Sequence, residues 1–423
     1  MAASEDQWNP WQKISFRFFF LFFGITSLYC WITVIELAYA GVFDWSMEDV
    51  YKLFRPFAGV FYWLDQHIYH TGYDPKTQVS LPIDNHFGVI FYLSFFLLAI
   101  IVATSWTILD KKRNNYYRLF HWFGVYLRYT LAITILGYGI DKVIPVQMPH
   151  PRTTEMITLF GNQSREDLLW RFMGVSPGYM LFTGLCEILA ALLLFSRRTA
   201  VFGYLFLVAI LSNVVALNWF YNISVKFFSS LLLLYALYLL APWVSNIYQF
   251  FFSGTPATVT QKSYVFETRW KGYLLTAMLI LVPFLYIIVT CIGDTRQYRK
   301  EIASASKEKM YNVTAFVAKD SLPAADTLRW KRVLFVYNNH MVVYNMKDKQ
   351  DWYLCAIDSL KKTLTLHKDD DKGITRTLQY TYPSKDQMRL TGKWKGKDID
   401  ALLKLSPVDS MHLNKEKLKI VQD

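Results

Sequence analysis

Ionisable side chains set inside long apolar runs are the residues of this sequence best suited to chemistry. A charge held in hydrocarbon costs about 2.5–3.5 kcal/mol at the least, so such a residue needs a partner or a task. Arg128 and Glu187 are the first two. At 1.5 Å of rise per residue, Arg128 lies about 14 Å in from one end of its run and Glu187 about 15 Å in from the opposite face. Opposite charges at one height near mid-membrane predict an Arg128–Glu187 ion pair, with Asn213 within a turn of that level. Asp141, Lys142, Asn218 and Lys226 form a second layer nearer the outer surface, and Tyr138 stands one turn below Asp141. Two readings are open. The pair is a structural device that fixes helix register, or the two layers line a cavity for a small polar or quinone-like ligand. Lys142 and Lys226 could also snorkel to the interface.

Other reactive residue types are sparse. His67 and His70 stand at i, i+3 between Asp65 and Asp74, with His86 and His150 on the same expected face. Histidines at that spacing can share a metal, but an interfacial amphipathic helix explains them more simply. They are weak candidates, and no metal site is expected. The four cysteines form no CxxC pair, and a Cys291–Cys355 bridge would need an oxidising compartment. Lys393, Lys395 and Lys397 alternate around Trp394, which predicts three cations on one strand face. That face suits solvent or anionic headgroups, and nucleic acid is not an expected partner. GxSxG, P-loop, GxGxxG and HExxH are absent from the sequence, so hydrolase, nucleotidase and zincin readings have no support.

The elements that must position these residues follow from composition. Of 423 residues 53% are hydrophobic and only 18% charged, with a formal charge of +12. Soluble domains carry about 25% charged residues, and disorder, coiled coil and disulfide scaffolds are excluded together. A helix crosses a bilayer core in roughly 20 apolar residues. Seven runs qualify, near 14–40, 86–109, 119–144, 177–196, 200–220, 224–243 and 272–292. The first is too long and aromatic for a cleaved signal peptide. Lys111, Lys112, Arg113 and Arg118, then Arg197 and Arg198, then Lys262, Arg269 and Lys271 mark alternate loops. The positive-inside rule then puts the N-terminus in the cytoplasm and the C-terminus outside. Arg296, Arg299 and Lys300 run against this assignment. The lipid bilayer is the first partner. In the 41–85 loop Leu53, Phe54, Phe57, Val60, Phe61 and Leu64 recur at helical spacing, which predicts an interfacial helix.

From about residue 293 the pattern changes. Thr363–His367 and Leu378–Tyr382 alternate with period 2, as half-buried strands do. Val333–Tyr337 and Met341–Tyr344 are short continuous apolar runs that fit strands buried on both faces. Turn signals between them predict an antiparallel sheet or small barrel. Residues 293–423 hold 25 Lys and Arg against 17 Asp and Glu, so most of the excess charge belongs here. Four parts are expected: N-terminal helices with an interfacial loop over 1–118, a core bundle over 119–245, a linker and last helix over 246–292, and a soluble β-rich domain over 293–423.

The segment from Arg128 through Gly137-Tyr138-Gly139-Ile140-Asp141-Lys142 to Pro149 resembles the DoxX-like family of bacterial membrane proteins. So do Trp170-Arg171-Phe172-Met173-Gly174, Phe182-Thr183-Gly184-Leu185-Cys186-Glu187, Leu211–Asn218 and Val225-Lys226-Phe227-Phe228-Ser229. The resemblance implies a four-helix transmembrane core with flanking helices, about seven spans in all, and a C-terminal antiparallel β-rich extension. It implies an inner-membrane protein linked to redox or stress physiology, with a periplasmic or membrane redox or envelope protein as partner. It supplies no catalytic residues. No haem, flavin or iron–sulfur motif stands in the sequence, so no intrinsic cofactor is expected and a diffusible quinone is the candidate electron carrier. Two alternatives stand beside this one: a non-enzymatic assembly protein whose β-domain docks an envelope partner, and a small-solute transporter.

Overall fold

The computed structural model describes residues 7–43, 58–75, 83–253, 268–318, 328–336, 339–368, 371–407 and 411. The chain divides into two compact units. One comprises Met1–Met148 with Ser176–Gln297, the other Pro149–Val175 with Tyr298–Asp423.

The first unit is helical: α1 Pro10–Phe43, α2 over 58–64, α3 His86–Leu109 and α4 Tyr117–Val143. Short helices α5 Thr153–Met156 and α6 Arg165–Gly174 belong to the second unit. Then come α7 Pro177–Phe195, α8 Ala200–Phe220, α9 Lys226–Leu240, the short α10 Val244–Tyr248, and α11 Arg269–Ala305. Among the described residues six helical stretches are long and apolar enough to cross a membrane: α3, α4, α7, α8, Lys226–Phe252 and Gly272–Ala305. The chain is a multi-pass membrane protein. The first expected run falls inside α1, where the side chains of 32–43 lie outside the described residues.

Side-chain caps fix several helix starts. Asn85 accepts from Gly88 N at 2.7 Å to begin α3, Ser164 and Asp167 form a capping box on α6, and Ser176 precedes Pro177 at the head of α7. α4 is the centre of the bundle, with Leu131–Gly137 all buried. Of the predicted interfacial helix, Leu53, Phe54 and Phe57 lie outside the described residues. Phe61 of α2 is buried edge-on against Phe87, 5.0 Å between ring centres, while Val60 on the other side is exposed. The expected end of the last span at 292 needs correction, because α11 runs on without a break to Ala305. Arg296, Arg299 and Lys300 are therefore helical residues, not the start of a β-domain.

The second unit holds a closed barrel of eight antiparallel strands. They are β1 Lys309–Ala318, β2 Trp330–Val336, β3 His340–Asn345, β4 Gln350–Asp358, β5 Thr363–Lys368, β6 Asp371–Ser384, β7 Gln387–Trp394 and β8 Lys397–Ser406. Each pairs with its sequence neighbour and β8 closes on β1, which leaves no free edge. Inside, Trp394 packs edge-on against Trp330 and Tyr353 at 4.8 and 5.1 Å. The Arg376 guanidinium lies 4.8 Å from the Trp394 ring centre and donates to Tyr353 Oη at 3.1 Å. β2 and β3 are buried on both faces, as their apolar runs predict. Val333, Met341 and Val343 point into the barrel. Leu334, Val342 and Tyr344 form an outer cluster against Ile157 of the 149–175 segment. That segment reads in sequence as a connecting loop, and it is in fact the barrel's outer cover.

The predicted row of three lysines on one strand face is not formed. Trp394 pairs with Lys397, which makes Lys395-Gly396 the two-residue turn of the β7–β8 hairpin, with φ of +48° and +86°. A Lys-Gly pair takes the tight turn that Asn-Gly and Asp-Gly usually supply. Lysine pays a steric penalty at positive φ that asparagine largely escapes. Lys395→Asn is therefore expected to stabilise the barrel by about 1 kcal/mol, although it removes the partly exposed Lys395–Asp351 contact of 3.3 Å. Thermal unfolding followed by near-ultraviolet dichroism reads this, and a lowered midpoint would show that the ion pair outweighs the backbone strain.

Candidate functional site

The expected Arg128–Glu187 pair does not exist. Both Glu187 carboxylate oxygens accept from Lys142 Nζ, at 2.8 and 2.7 Å, and both residues are buried. Arg128 instead lies near the Tyr204 hydroxyl of α8 and over the Tyr129 ring, with its Nε buried without a hydrogen-bond partner. Helix offset explains the error. α4 and α7 run antiparallel, with Tyr129 donating to Phe195 O at one end and Gly139 meeting Gly184 at the other. The first turns of α7 therefore extend past the end of α4. Measuring depth from the start of each apolar run places Glu187 too deep, and its true level is that of Lys142.

Glycine makes this pairing geometrically possible. A Cβ on Gly139 would stand 2.9 Å from Gly184 O and 2.7 Å from Ile188 Cγ1. A Cβ on Gly184 would stand 2.8 Å from Gly139 O and 3.0 Å from Lys142 Cβ. The backbones touch here, as small residues permit in membrane helices, and the touch brings the Lys142 stem alongside Glu187. The Lys142 ammonium also lies 5.7 Å from the Tyr138 ring centre.

On α4, Asp141 turns to α11. Its carboxyl meets that of Asp294 within hydrogen-bonding reach. Two carboxylates offer only acceptors, so this contact is a hydrogen bond only when one proton sits between them. The second oxygen of Asp294, Oδ2, is buried without a hydrogen-bond partner. Tyr286, about two helical turns before Asp294 on α11, is buried against Gly137, where an added Cβ would stand 2.3 Å from its hydroxyl. The site thus gathers Asp141, Lys142, Glu187 and Asp294: three carboxyls against one ammonium.

Not every expected member is present. Asn213 is exposed on α8 and faces away from the core, and Asn218 is buried near the end of that helix. Lys226 bonds Asp84 at 3.2 Å, and the same carboxylate accepts from the backbone N–H groups of Lys226 and Phe227 at 2.6 and 3.0 Å. Asp84 thereby caps α9 from a distant loop, and Lys226 belongs to that cap and not to a ligand cavity. His67 is exposed, stacks on Trp63 and meets its carbonyl at 2.9 Å. His70 ends the helix in left-handed conformation, φ +52°. Asp65 beside them is engaged by backbone and hydroxyl donors. Burial alone would push its carboxyl up, but hydrogen bonds from Thr71, Gly72 and Tyr73 hold it below the usual range. Among the described residues no group of three or more His, Cys, Asp or Glu is placed to hold a metal. All four cysteines are free thiols.

Sequence reading missed two residues. Asp294 was hidden by ending the last span at 292, and continuing the helical period would have exposed it. Arg17, fully buried in α1, donates to Tyr116 Oη at 2.6 and 3.0 Å, to Thr107 Oγ1 at 2.8 Å and to Asp110 O at 2.9 Å. A lone arginine beside Phe18-Phe19-Phe20 was the available signal.

Two substitutions test this geometry. Lys142→Met leaves Glu187 buried without its counter-charge and is expected to cost about 3–5 kcal/mol. Lys142→Met with Glu187→Leu should regain most of that, read as thermal unfolding in mild detergent. Equal damage in the single and double variants would remove the pair's role. Gly184→Ala is expected to destabilise by about 1–3 kcal/mol through overpacking, whereas Gly178→Ala, with open space around its Cβ, should not.

Comparison with known proteins adds kinship without an activity. No family model matches the chain, and no solved structure matches it either. A curated relative, the uncharacterised protein YwoB of Bacillus subtilis strain 168, is 36% identical over 113 residues, which make up 27% of this chain and 71% of the relative. Over that stretch the chain belongs to the same family as YwoB.

Proposed function

We propose that this is a DoxX-like inner-membrane protein whose buried acid–base cluster exchanges protons in quinone-linked redox physiology. The observation that carries the reading is the Asp141–Asp294 contact beside the Lys142–Glu187 pair. Buried clusters with more carboxyls than cations must hold protons, and such groups are where membrane proteins conduct proton chemistry. The orphaned Asp294 Oδ2 is a group awaiting a polar partner. Lys142 and Tyr286 are donors at the same place, so the residues present fit a quinone carbonyl. A quinone, when bound, would supply a two-electron, two-proton couple, with electrons from a redox protein partner and protons from water, relayed one at a time by the Asp141–Asp294 pair. The chain's own part is to orient the carbonyl with Lys142 or Tyr286 and to pass a proton from the Asp141–Asp294 pair. The cytoplasmic N-terminus and the periplasmic barrel belong to this reading through the lysines and arginines of the alternate loops.

A second reading, an assembly protein whose barrel docks an envelope partner, is favoured by exposed apolar side chains at one hairpin. Ile357 is 58% and Leu360 96% exposed there.

Mass spectrometry of the chain purified in mild detergent separates the two. Under the redox reading a quinone or a redox protein co-purifies, and Asp141→Asn and Asp294→Asn each abolish the infrared signature of a protonated carboxyl without loss of folded protein. A preparation with neither quinone nor redox partner, whose infrared spectrum is unchanged in both variants, would remove the first reading. Loss of a co-purifying protein on Leu360→Ser would establish the second.

A further inference from the structure

Two openings on the α1–α4 side of the helical unit share a wall. The first, of about 410 Å³, lies at the loop that precedes α4 and is lined by Arg113, Asn115, Tyr117, Arg118 and Trp122 among others. The second, of about 440 Å³, runs between α1 and α4 over Gly24, Ile25, Leu28, Trp122 and Tyr126. Trp122 lines both, so a polar cavity and an apolar groove meet at one indole. The direction of the groove is set by the chain. Trp8 N donates to Asn114 O at 3.1 Å, which ties the start of α1 to the loop that starts α4. Both helices leave that loop together, and at 1.5 Å per residue Tyr126 stands about 13 Å beyond Tyr117. Gly24 keeps the groove open, because a Cβ there would meet only Phe123, at 3.9 Å. Leu28 at its far end is 56% exposed, so the groove opens sideways from the bundle.

The charge at the head is unbalanced. Two guanidiniums line the cavity and no carboxylate does, and Lys111 and Lys112 precede Arg113. The neighbouring acid, Asp110, is already engaged. It accepts from Tyr116 Oη at 2.8 Å, which holds its carboxyl below the usual range, and stands 3.8 Å from Arg113 Nε. Arg118 is exposed and has no ion-pair or hydrogen-bond partner among the described residues. A cationic head pocket joined to a one-chain apolar groove matches one kind of molecule. We propose that this is a binding site for an anionic phospholipid, its phosphate between Arg113 and Arg118 and one acyl chain along the groove over Gly24. A neutral quinone leaves the Arg118 guanidinium unanswered, and free phosphate leaves the groove unfilled. The site is separate from the Asp141 cluster and does not depend on the redox reading.

Native mass spectrometry of the full chain, given equimolar dioleoyl phosphatidylglycerol and phosphatidylcholine in mild detergent, tests the assignment. The chain should retain phosphatidylglycerol preferentially. Arg118→Gln, at an exposed position without a partner, should weaken that retention by about fivefold, the effect of one cation near an anionic lipid surface. Arg198→Gln removes the same charge from another loop and should leave retention unchanged. Gly24→Leu should cut retention of the dioleoyl lipid while sparing the dihexanoyl form, which has no long chain to seat. Three results would overturn the proposal: no preference for phosphatidylglycerol, equal losses in Arg118→Gln and Arg198→Gln, or indifference of the long-chain lipid to Gly24→Leu. Displacement of the lipid by inorganic phosphate at equal concentration would reassign the cavity to free phosphate and also defeat it.

Discussion

The helical unit depends on the contact of α4 with α7 at Gly139 and Gly184. Lipid provides no hydrophobic drive between helices, so association must come from close van der Waals packing and from polar groups that find one another. Bare backbone at this crossing supplies the first, with an added Cβ standing less than 3 Å from the opposing carbonyl on either side. It also supplies the second, because only this approach lets the Lys142 ammonium reach both oxygens of Glu187. The ion pair contributes little net stability over an apolar pair of the same shape. Its effect is on choice of arrangement: any other register of α4 on α7 leaves two buried charges unmatched.

The same rule explains three other charges, each answered by partners from a different helix or loop. Arg17 joins α1 to the end of α3 and to Tyr116 at the head of α4. Asp84 reaches across 142 residues to cap α9. Asp65 is held by three successive backbone N–H groups and one hydroxyl. These are closed accounts of donor and acceptor. The Asp141–Asp294 contact is different, since two acceptors face each other and one oxygen is left over. Arg128 Nε on the same helix is likewise buried without a hydrogen-bond partner, but only at Asp141 and Asp294 do two carboxyls face each other.

The barrel solves a different problem. Eight neighbouring strands close on themselves, so backbone donors and acceptors are paired around the ring and no edge remains. Its interior is sealed by the Trp330–Trp394–Tyr353 cluster, with Arg376 stacked on it and bonded to the Tyr353 hydroxyl. The outer face of β2 and β3 is apolar too, and the 149–175 segment covers it through Ile157. A second face buried by a remote stretch of chain is why those strands carry continuous apolar runs where β5 alternates.

Local pattern was enough for much of this. Hydrophobic run length marked the membrane helices, because a bilayer imposes one thickness on every span. Period-2 alternation and the doubled apolar runs marked half-buried and fully buried strands. Residue type alone flagged Asp141, Lys142 and Glu187 as costly charges that need partners. The partners themselves were not legible, because pairing depends on the offset between helices, and apolar runs do not record where one helix starts relative to another. Arg128 and Lys142 stand about 21 Å apart along α4, and the offset of α7 decides which of them Glu187 meets. Asp294 enters the site only because α11 continues past its apolar stretch, and Lys226 leaves it only because Asp84 arrives from a distant loop. Composition and periodicity are one-dimensional averages and survive without the fold. Which charge meets which is a property of distances between segments, and tertiary packing alone sets those.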